Sequence, residues 1–404
     1  MSQMLVALAV LMAAGLLVSR GARALKLPNV TAFLVAGLIV GPSVTGLLSR
    51  EQSSSLSIIS TAALGFIAFS IGGEFDLKYL KQIGKAPLTI TAFQGLTTTL
   101  FVEAGMIALG YLIPGMFRDP KEIVPQSLVM GAIALATAPA ATLMVVRQYK
   151  ADGPVTRMLL PVVAMDDALG LMVFSVNTSV ASAMMGGEMT VYSVLLKPLI
   201  GIVGSLLLGT VLGLLVTWAE RFFRSRGNSL SIAIAAVFAG AGLCELLAEY
   251  SFSSLLVCMM IGATVSNLSA KKKTVMEQTD RFTPPLFLLF FVLSGANLDL
   301  SVLPSVGIIG AAYIALRSFG KWFGTMTGAA AVKADGNIRK YLGLTLLPQA
   351  GVAIGMAQLV MPMFPDFGLK VNAVVLAATL VYELIGPVIT KIALTKAGEI
   401  TAEK

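Results

Sequence analysis

Long apolar runs, interrupted by short stretches rich in charge or turn residues, occupy most of the chain. Read between those breaks, the pattern predicts thirteen helices, near 4–22, 29–48, 55–75, 86–114, 124–146, 157–183, 191–219, 229–248, 252–269, 284–298, 303–332, 341–362 and 371–395. A helix needs about 20 residues to cross a bilayer, and the longer runs are expected to tilt or break. The pattern therefore predicts an all-α polytopic membrane protein.

Composition sharpens that reading. Of 404 residues, 56% are hydrophobic and only 12% charged, and the mean hydropathy is +0.87. A soluble domain is about one quarter charged, so part of this apolar surface must face lipid. Two Cys exclude a disulfide scaffold; Cys244 and Cys258 read as small core residues. The absence of His excludes imidazole catalysis and His metal sites. No phosphate-binding fingerprint follows a strand, and the small-residue run 239–242 reads as helix packing. No enzyme activity and no cofactor is expected.

The net charge of +8 is a topology signal rather than a mark of nucleic-acid binding. Of the 29 Lys and Arg residues, 22 fall in alternate connections and the tail: Arg20 to Lys26, Lys78 to Lys85, Arg147 to Arg157, Arg221 to Arg226, Lys271 to Arg281, Lys333 to Lys340, and Lys391 to Lys404. Five, Arg50, Arg118, Lys121, Lys197 and Lys370, fall on the other side, and Arg317 and Lys321 lie inside a span. The positive-inside rule then puts the N-terminus outside and the C-terminus in the cytoplasm. The first helix has its positive charges after the apolar stretch, the reverse of a signal peptide, and is expected to be retained.

A weak repeat adds a second layer. Residues 71–77 (IGGEFDL) and 294–300 (SGANLDL) match at Gly72/Gly295, Asp76/Asp299 and Leu77/Leu300, each after a Phe-rich helix. By the span count the two copies run in opposite directions, as in inverted-topology transporters. Two spans beyond each copy lies a Pro inside an apolar run: Pro139, in Thr137-Ala138-Pro139, and Pro348, followed by Gln349. Pro removes a backbone donor and frees a carbonyl one turn earlier. The pair reads either as simple kinks or as two broken helices whose ends face a small ion. Their matched positions favour the ion site.

Ionisable residues at membrane depth are costly and mark function by default. Asp166 and Asp167 lie about ten residues into span 157–183. Adjacent helical positions diverge by about 100°, so the two carboxylates are expected to face different surroundings, one a cation and the other a cavity. Lys321, about eleven residues into span 303–332, falls at matching depth, with Arg317 one turn deeper. Lys can give up its proton and Arg cannot. Lys321 is therefore the candidate for proton exchange, and Arg317 for neutralising a fixed charge. Proton release and cation binding could then occur at the same carboxylate atoms, with coupled titration. A purely structural ion-pair network is the alternative. Glu103 and Glu383, mid-span, are secondary candidates, read first as structural partners of Arg317 or, for Glu383, of a helix end. Glu74 reads as a cap or loop partner; Glu245 and Glu249 belong near the surface.

These residues resemble the cation:proton antiporter superfamily, in particular its electrogenic branch of sodium/proton antiporters and potassium-efflux membrane domains. The resemblance runs over nearly the whole chain. Leu27-Pro28-Asn29-Val30 and the stretch Leu34 to Pro42 look like that family's early helix. Phe66 to Phe75 resembles its third helix. Asp166-Asp167-Ala168-Leu169-Gly170 is similar to its ion-binding motif, and Gly320-Lys321-Trp322-Phe323-Gly324 to its lysine helix. The resemblance implies a sodium/proton antiporter-like fold of inverted repeats with two crossed, broken helices. It implies that Asp167 carries the ion and the proton. Asp166 would pair with Lys321 until a cation binds, and Thr137 would join Asp166 and Asp167 as a Na⁺ ligand.

The resemblance further implies a homodimer with a dimerisation part (about 1–50 and 191–269) and a mobile core (about 55–183 and 284–395). It implies a bacterial or archaeal cytoplasmic (inner) membrane and a part in pH homeostasis. The broken helix lacks the acid of a Thr-Asp-Pro sequence, which leaves Na⁺, Li⁺ and K⁺ open. The short tail leads to the expectation of no soluble regulatory domain. The transported cation and H⁺ are the expected partners. A K⁺/H⁺ antiporter and a sodium-coupled organic-anion symporter are the alternatives.

Overall fold

The computed structural model describes residues 2–25, 27–73, 75, 84–113, 116–117, 119–186, 196–223, 225–247, 252–298, 300 and 302–400. Its helices are α1 (Ser2–Ala24), α2 (Asn29–Val40), α3 (Arg50–Ser55), α4 (Ser57–Gly73), α5 (Ala86–Leu112), α6 (Ile123–Ala134), α7 (Pro139–Gln148) and α8 (Pro154–Met184). They continue with α9 (Lys197–Ala219), α10 (Arg226–Leu246), α11 (Ser254–Leu268), α12 (Lys272–Ala296), α13 (Val302–Ala331), α14 (Gly336–Thr345), α15 (Gly351–Met363) and α16 (Gly368–Lys396). No strand occurs among the described residues. Seven helices among them are long and apolar enough to cross a membrane, counting Pro120–Gln148 as one. The chain is an integral membrane protein.

Two limits differ from the apolar pattern. The run 29–48 is helical only to Val40, where Gly41 caps the helix by donating its N–H to Gly37 and Pro42 follows. The run 284–298 begins earlier, at Lys272. Its charged first turns hid it, yet they suit a helix leaving the apolar layer and carry an (i, i+4) pair, Arg281–Glu277, at 2.6 Å.

The helices form two compact units, Met1–Gly84 with Lys197–Asn297, and Lys85–Leu196 with Leu298–Lys404. α4 and α12 pack with the first unit. The reason is local: α2 crosses α12, and α4 crosses α11, at glycines. A β-carbon on Gly37 would strike the Val292 carbonyl, and one on Gly295 the Leu34 carbonyl. At the other crossing Gly72 meets the Met259 carbonyl and Gly262 that of Phe69. Without side chains the two backbones approach closely. Gly72 and Gly295 are the matched residues of the sequence repeat, so one crossing is built twice. Asp76, Leu77, Asp299, Glu74 and Glu249 lie outside the described residues. Glu245 is exposed, and both cysteines are buried and free.

In the second unit α13 packs lengthwise on α5, and α16 lies against α13, α14 and α15. Both Pro-containing runs are interrupted. The helix stops at Ala134 and restarts at Pro139, and stops at Thr345 and restarts at Gly351. Pro139 opens α7, where its missing N–H costs nothing. The two breaks cross: the Ala138 N–H donates to the Pro348 carbonyl at 2.8 Å. Two apolar clusters fill the rest of the unit. One includes Val102, Met106, Tyr313, Phe174 and Tyr382; the other includes Ile90, Val155, Val163, Ala329 and Leu394. Between them, on α5, α8, α13 and α16, lies a layer of buried polar residues.

Candidate functional site

That layer gathers the charged residues picked out by sequence. α5 and α13 touch closely enough that a β-carbon on Gly320 or Gly324 would meet the Cα of Thr98 or Gln94 at 2.8 and 2.7 Å. Lys321 is thereby enclosed, with no solvent exposure. Its Nζ donates to the Leu135 carbonyl at 2.6 Å, Gln94 Oε1 at 2.8 Å, Thr137 Oγ1 at 2.8 Å and Asp166 Oδ2 at 3.1 Å. Leu135 and Thr137 belong to the first break, which supplies a carbonyl that an intact helix would have used internally and a side-chain hydroxyl.

Asp166 is fully occupied. Its Oδ2 accepts from Thr137 Oγ1 at 2.7 Å and from Lys321, and its Oδ1 accepts from Gln94 Nε2. Gln94 and Thr137 each donate to the carboxylate and accept from the ammonium, so every strong polar atom in the set is paired. A buried ion pair is tolerable only with such additional bonds.

Asp167, the next residue, differs as the helical angle predicts. It is 7% exposed, and its Oδ1 has no hydrogen-bond partner among the described residues. An unpaired, dehydrated carboxylate is costly as a bare charge.

Arg317 takes another role than pairing with Glu103 or Glu383. Its Nε donates to the Ala134 carbonyl at 2.9 Å, Nη2 to Ala136 at 2.8 Å and Nη1 to Leu347 at 2.7 Å, while its Cζ lies 4.4 Å from the Tyr382 ring centre. The fixed charge it meets is the negative end of two half-helices rather than a carboxylate. Gln349 Nε2 ties the second break to α6 and α13, donating to Ile133 O and Tyr313 Oη, both at 3.1 Å. Glu103 accepts from Asn177 Nδ2 at 2.5 Å, away from Arg317. Glu383 is buried and has neither a hydrogen-bonding nor a charged partner among the described residues.

The sequence reading missed Gln94, Tyr313, Tyr382 and Asn177, all uncharged. Gln94 carried one usable signal: it is the only amide side chain in Ala86–Leu112.

A crossed pair of broken helices around a buried Asp–Lys pair and a free carboxylate is the arrangement of an ion-coupled transporter, and comparison with known proteins specifies which. The family model described as "Sodium/hydrogen exchanger, transmembrane" matches residues 6–396, and the chain belongs to that family. It is 25% identical over 340 residues to the high-affinity Na⁺/H⁺ antiporter NhaS3 of Synechocystis, covering 80% of this chain and 69% of that protein. It is 26% identical over 288 residues to the glutathione-regulated potassium-efflux system protein KefC of Shigella sonnei, covering 69% of this chain but only 43% of that protein. Its fold is similar to that of the sodium proton antiporter MjNhaP1 from Methanocaldococcus jannaschii, with TM-score 0.75, 18% identity and 99% coverage of both chains.

Proposed function

We propose that the protein is a secondary antiporter exchanging Na⁺ for H⁺ by alternating access. One observation carries this reading. Of two adjacent buried aspartates, Asp166 is saturated by Gln94, Thr137 and Lys321, while Asp167 keeps an unpartnered oxygen. A site that must bind a cation and a proton in turn needs such an open carboxylate beside a pair that can rearrange. Cation entry at Asp167 displaces its proton and competes with Lys321 for Asp166; proton entry reverses this. Competition for the same atoms couples the two fluxes without ATP and without a cofactor. If Lys321 or Asp166 also gives up a proton, two protons move per cation and transport is electrogenic.

Thr137 is the hydroxyl ligand in this scheme, and Pro139, Pro348 and Gln349 hold the breaks. The second unit is the ion-carrying part and the first the dimerisation part of a homodimer. The excess of Lys and Arg in alternate connections supports a cytoplasmic C-terminus and an outside N-terminus. The cytoplasmic membrane of a prokaryote fits this topology, and the exchange would serve pH homeostasis there.

The likeness to KefC favours K⁺ as a second candidate cation. In proteoliposomes, Na⁺, Li⁺ and K⁺ gradients applied in turn across a pH series identify the cation. Asp167→Asn is expected to abolish cation-driven proton flux, and full retained flux would overturn the assignment.

A further inference from the structure

Glu383 is a buried carboxyl group that the exchange scheme leaves unused. It sits in α16, the helix that follows the second break, as Asp167 sits in α8, the helix that follows the first. The local sequences align: Asp166-Asp167-Ala168-Leu169-Gly170 against Tyr382-Glu383-Leu384-Ile385-Gly386. The packing aligns too. Three residues beyond each acid is a glycine turned toward its own break. A β-carbon on Gly170 would touch Leu135 at 3.5 Å, and one on Gly386 would touch Pro348 at 3.0 Å.

Asp166 meets Lys321, and its counterpart Tyr382 meets Arg317, one turn away on α13. The exposure of Glu383, 6%, matches the 7% of Asp167 and not the 0% of Asp166.

We propose that Glu383 is a second proton-binding carboxyl group of the transport unit, holding in the second repeat the place that Asp167 holds in the first. The proposal rests on the antiporter reading. Among the described residues no cation is paired with Glu383. Arg317 is bound to three carbonyls, and Lys321 to Asp166 and its partners. Tyr313 accepts from Gln349. Among the other elements packed on α16, α6 and α15 carry no titratable side chain. α7 carries Arg147 and α14 carries Arg339, Lys340 and Tyr341, none of them bonded to Glu383 among the described residues. A bare carboxylate in such surroundings is unfavourable, so the group is held as the acid. When the unit admits water, the O–H bond breaks, the proton passes to water and the carboxylate remains; the reverse step reloads it.

The test combines infrared difference spectra between high and low pH with cation-driven proton flux, on reconstituted full-length wild type, Glu383→Gln, Glu383→Asp and Asp167→Asn. Glu383→Gln is expected to lose one carboxylic-acid C=O band. The pH of half-maximal flux should move, because one proton-binding group of the unit is gone. Glu383→Asp is expected to keep an acid band at a changed frequency, which preserves the test should Gln disturb folding. A Glu383→Gln protein with unchanged bands and an unchanged pH profile would overturn the proposal, as would an unmoved band in Glu383→Asp. Flux persisting in Asp167→Asn would instead overturn the antiporter site, and the Glu383 band would still be read separately.

Discussion

Gln94 holds two opposite charges at once. Its amide nitrogen serves Asp166 and its oxygen serves Lys321. Replacing it with Ala strands a partner on each side. One unsatisfied buried group costs about 1–3 kcal/mol, more when charged. Gln94→Ala is therefore expected to lower the melting temperature in detergent and to slow cation-driven flux. Gln94→Glu should be worse, because it sets a second carboxylate against Asp166. Thermal unfolding and flux on the same preparations check both; a Gln94→Ala protein equal to wild type in each would contradict the network. The charged members of the network stand out in sequence because an Asp or Lys within an apolar run has no cheap explanation. A neutral amide carries a weaker flag, since it can satisfy itself on nearby backbone, and the sequence offers only that Gln94 is the one amide side chain in Ala86–Leu112. For the same reason Tyr382 gave no hint that its ring would cover Arg317.

The breaks at Pro139 and Pro348 are the elements that place this chemistry, and each was readable as a Pro inside an apolar run. That they cross, and that one guanidinium serves both, was not readable, because sequence spacing does not give the approach of carbonyls from residues 134, 136 and 347. Arg317→Lys keeps the charge but cannot reach three carbonyls in a fixed fork. It is expected to destabilise the protein by roughly 1.5–3 kcal/mol, on the scale of a hydrogen bond to a charged group, and thermal unfolding measures it. The helix that carries the Asp pair has a further support. Glu399 caps its first turn, accepting from the N–H groups of Val155 at 2.6 Å and Thr156 at 2.8 Å, and from Thr156 Oγ1 at 2.7 Å. Glu399→Ala removes the cap and an acid from the positive end of the helix. The expected loss is about 1–2 kcal/mol, read as a lower melting temperature. No local pattern reveals this contact, because 244 positions separate the partners.

Across the molecule, the repeat that was faint in sequence is plain in structure. The glycine crossings of α2 with α12 and of α4 with α11 are two copies of one contact, and two crossed breaks lie in the second unit. The pattern of apolar runs revealed the class of fold, whereas the division into units depended on backbone approach at four glycines. Function at this level is competition. If one proton and one cation share Asp167, lowering the pH raises the apparent KM for the cation, approaching about tenfold per pH unit once the carboxyl is mostly protonated. Initial rates at several pH values check the slope, and a KM independent of pH would argue against a shared site. The most direct test is proton release on cation binding, followed with a pH indicator in weakly buffered, purified protein. Na⁺ added to the wild type is expected to release protons, and Asp167→Asn is expected to release none. Cation binding with no proton release in the wild type, or equal release in Asp167→Asn, would contradict the account.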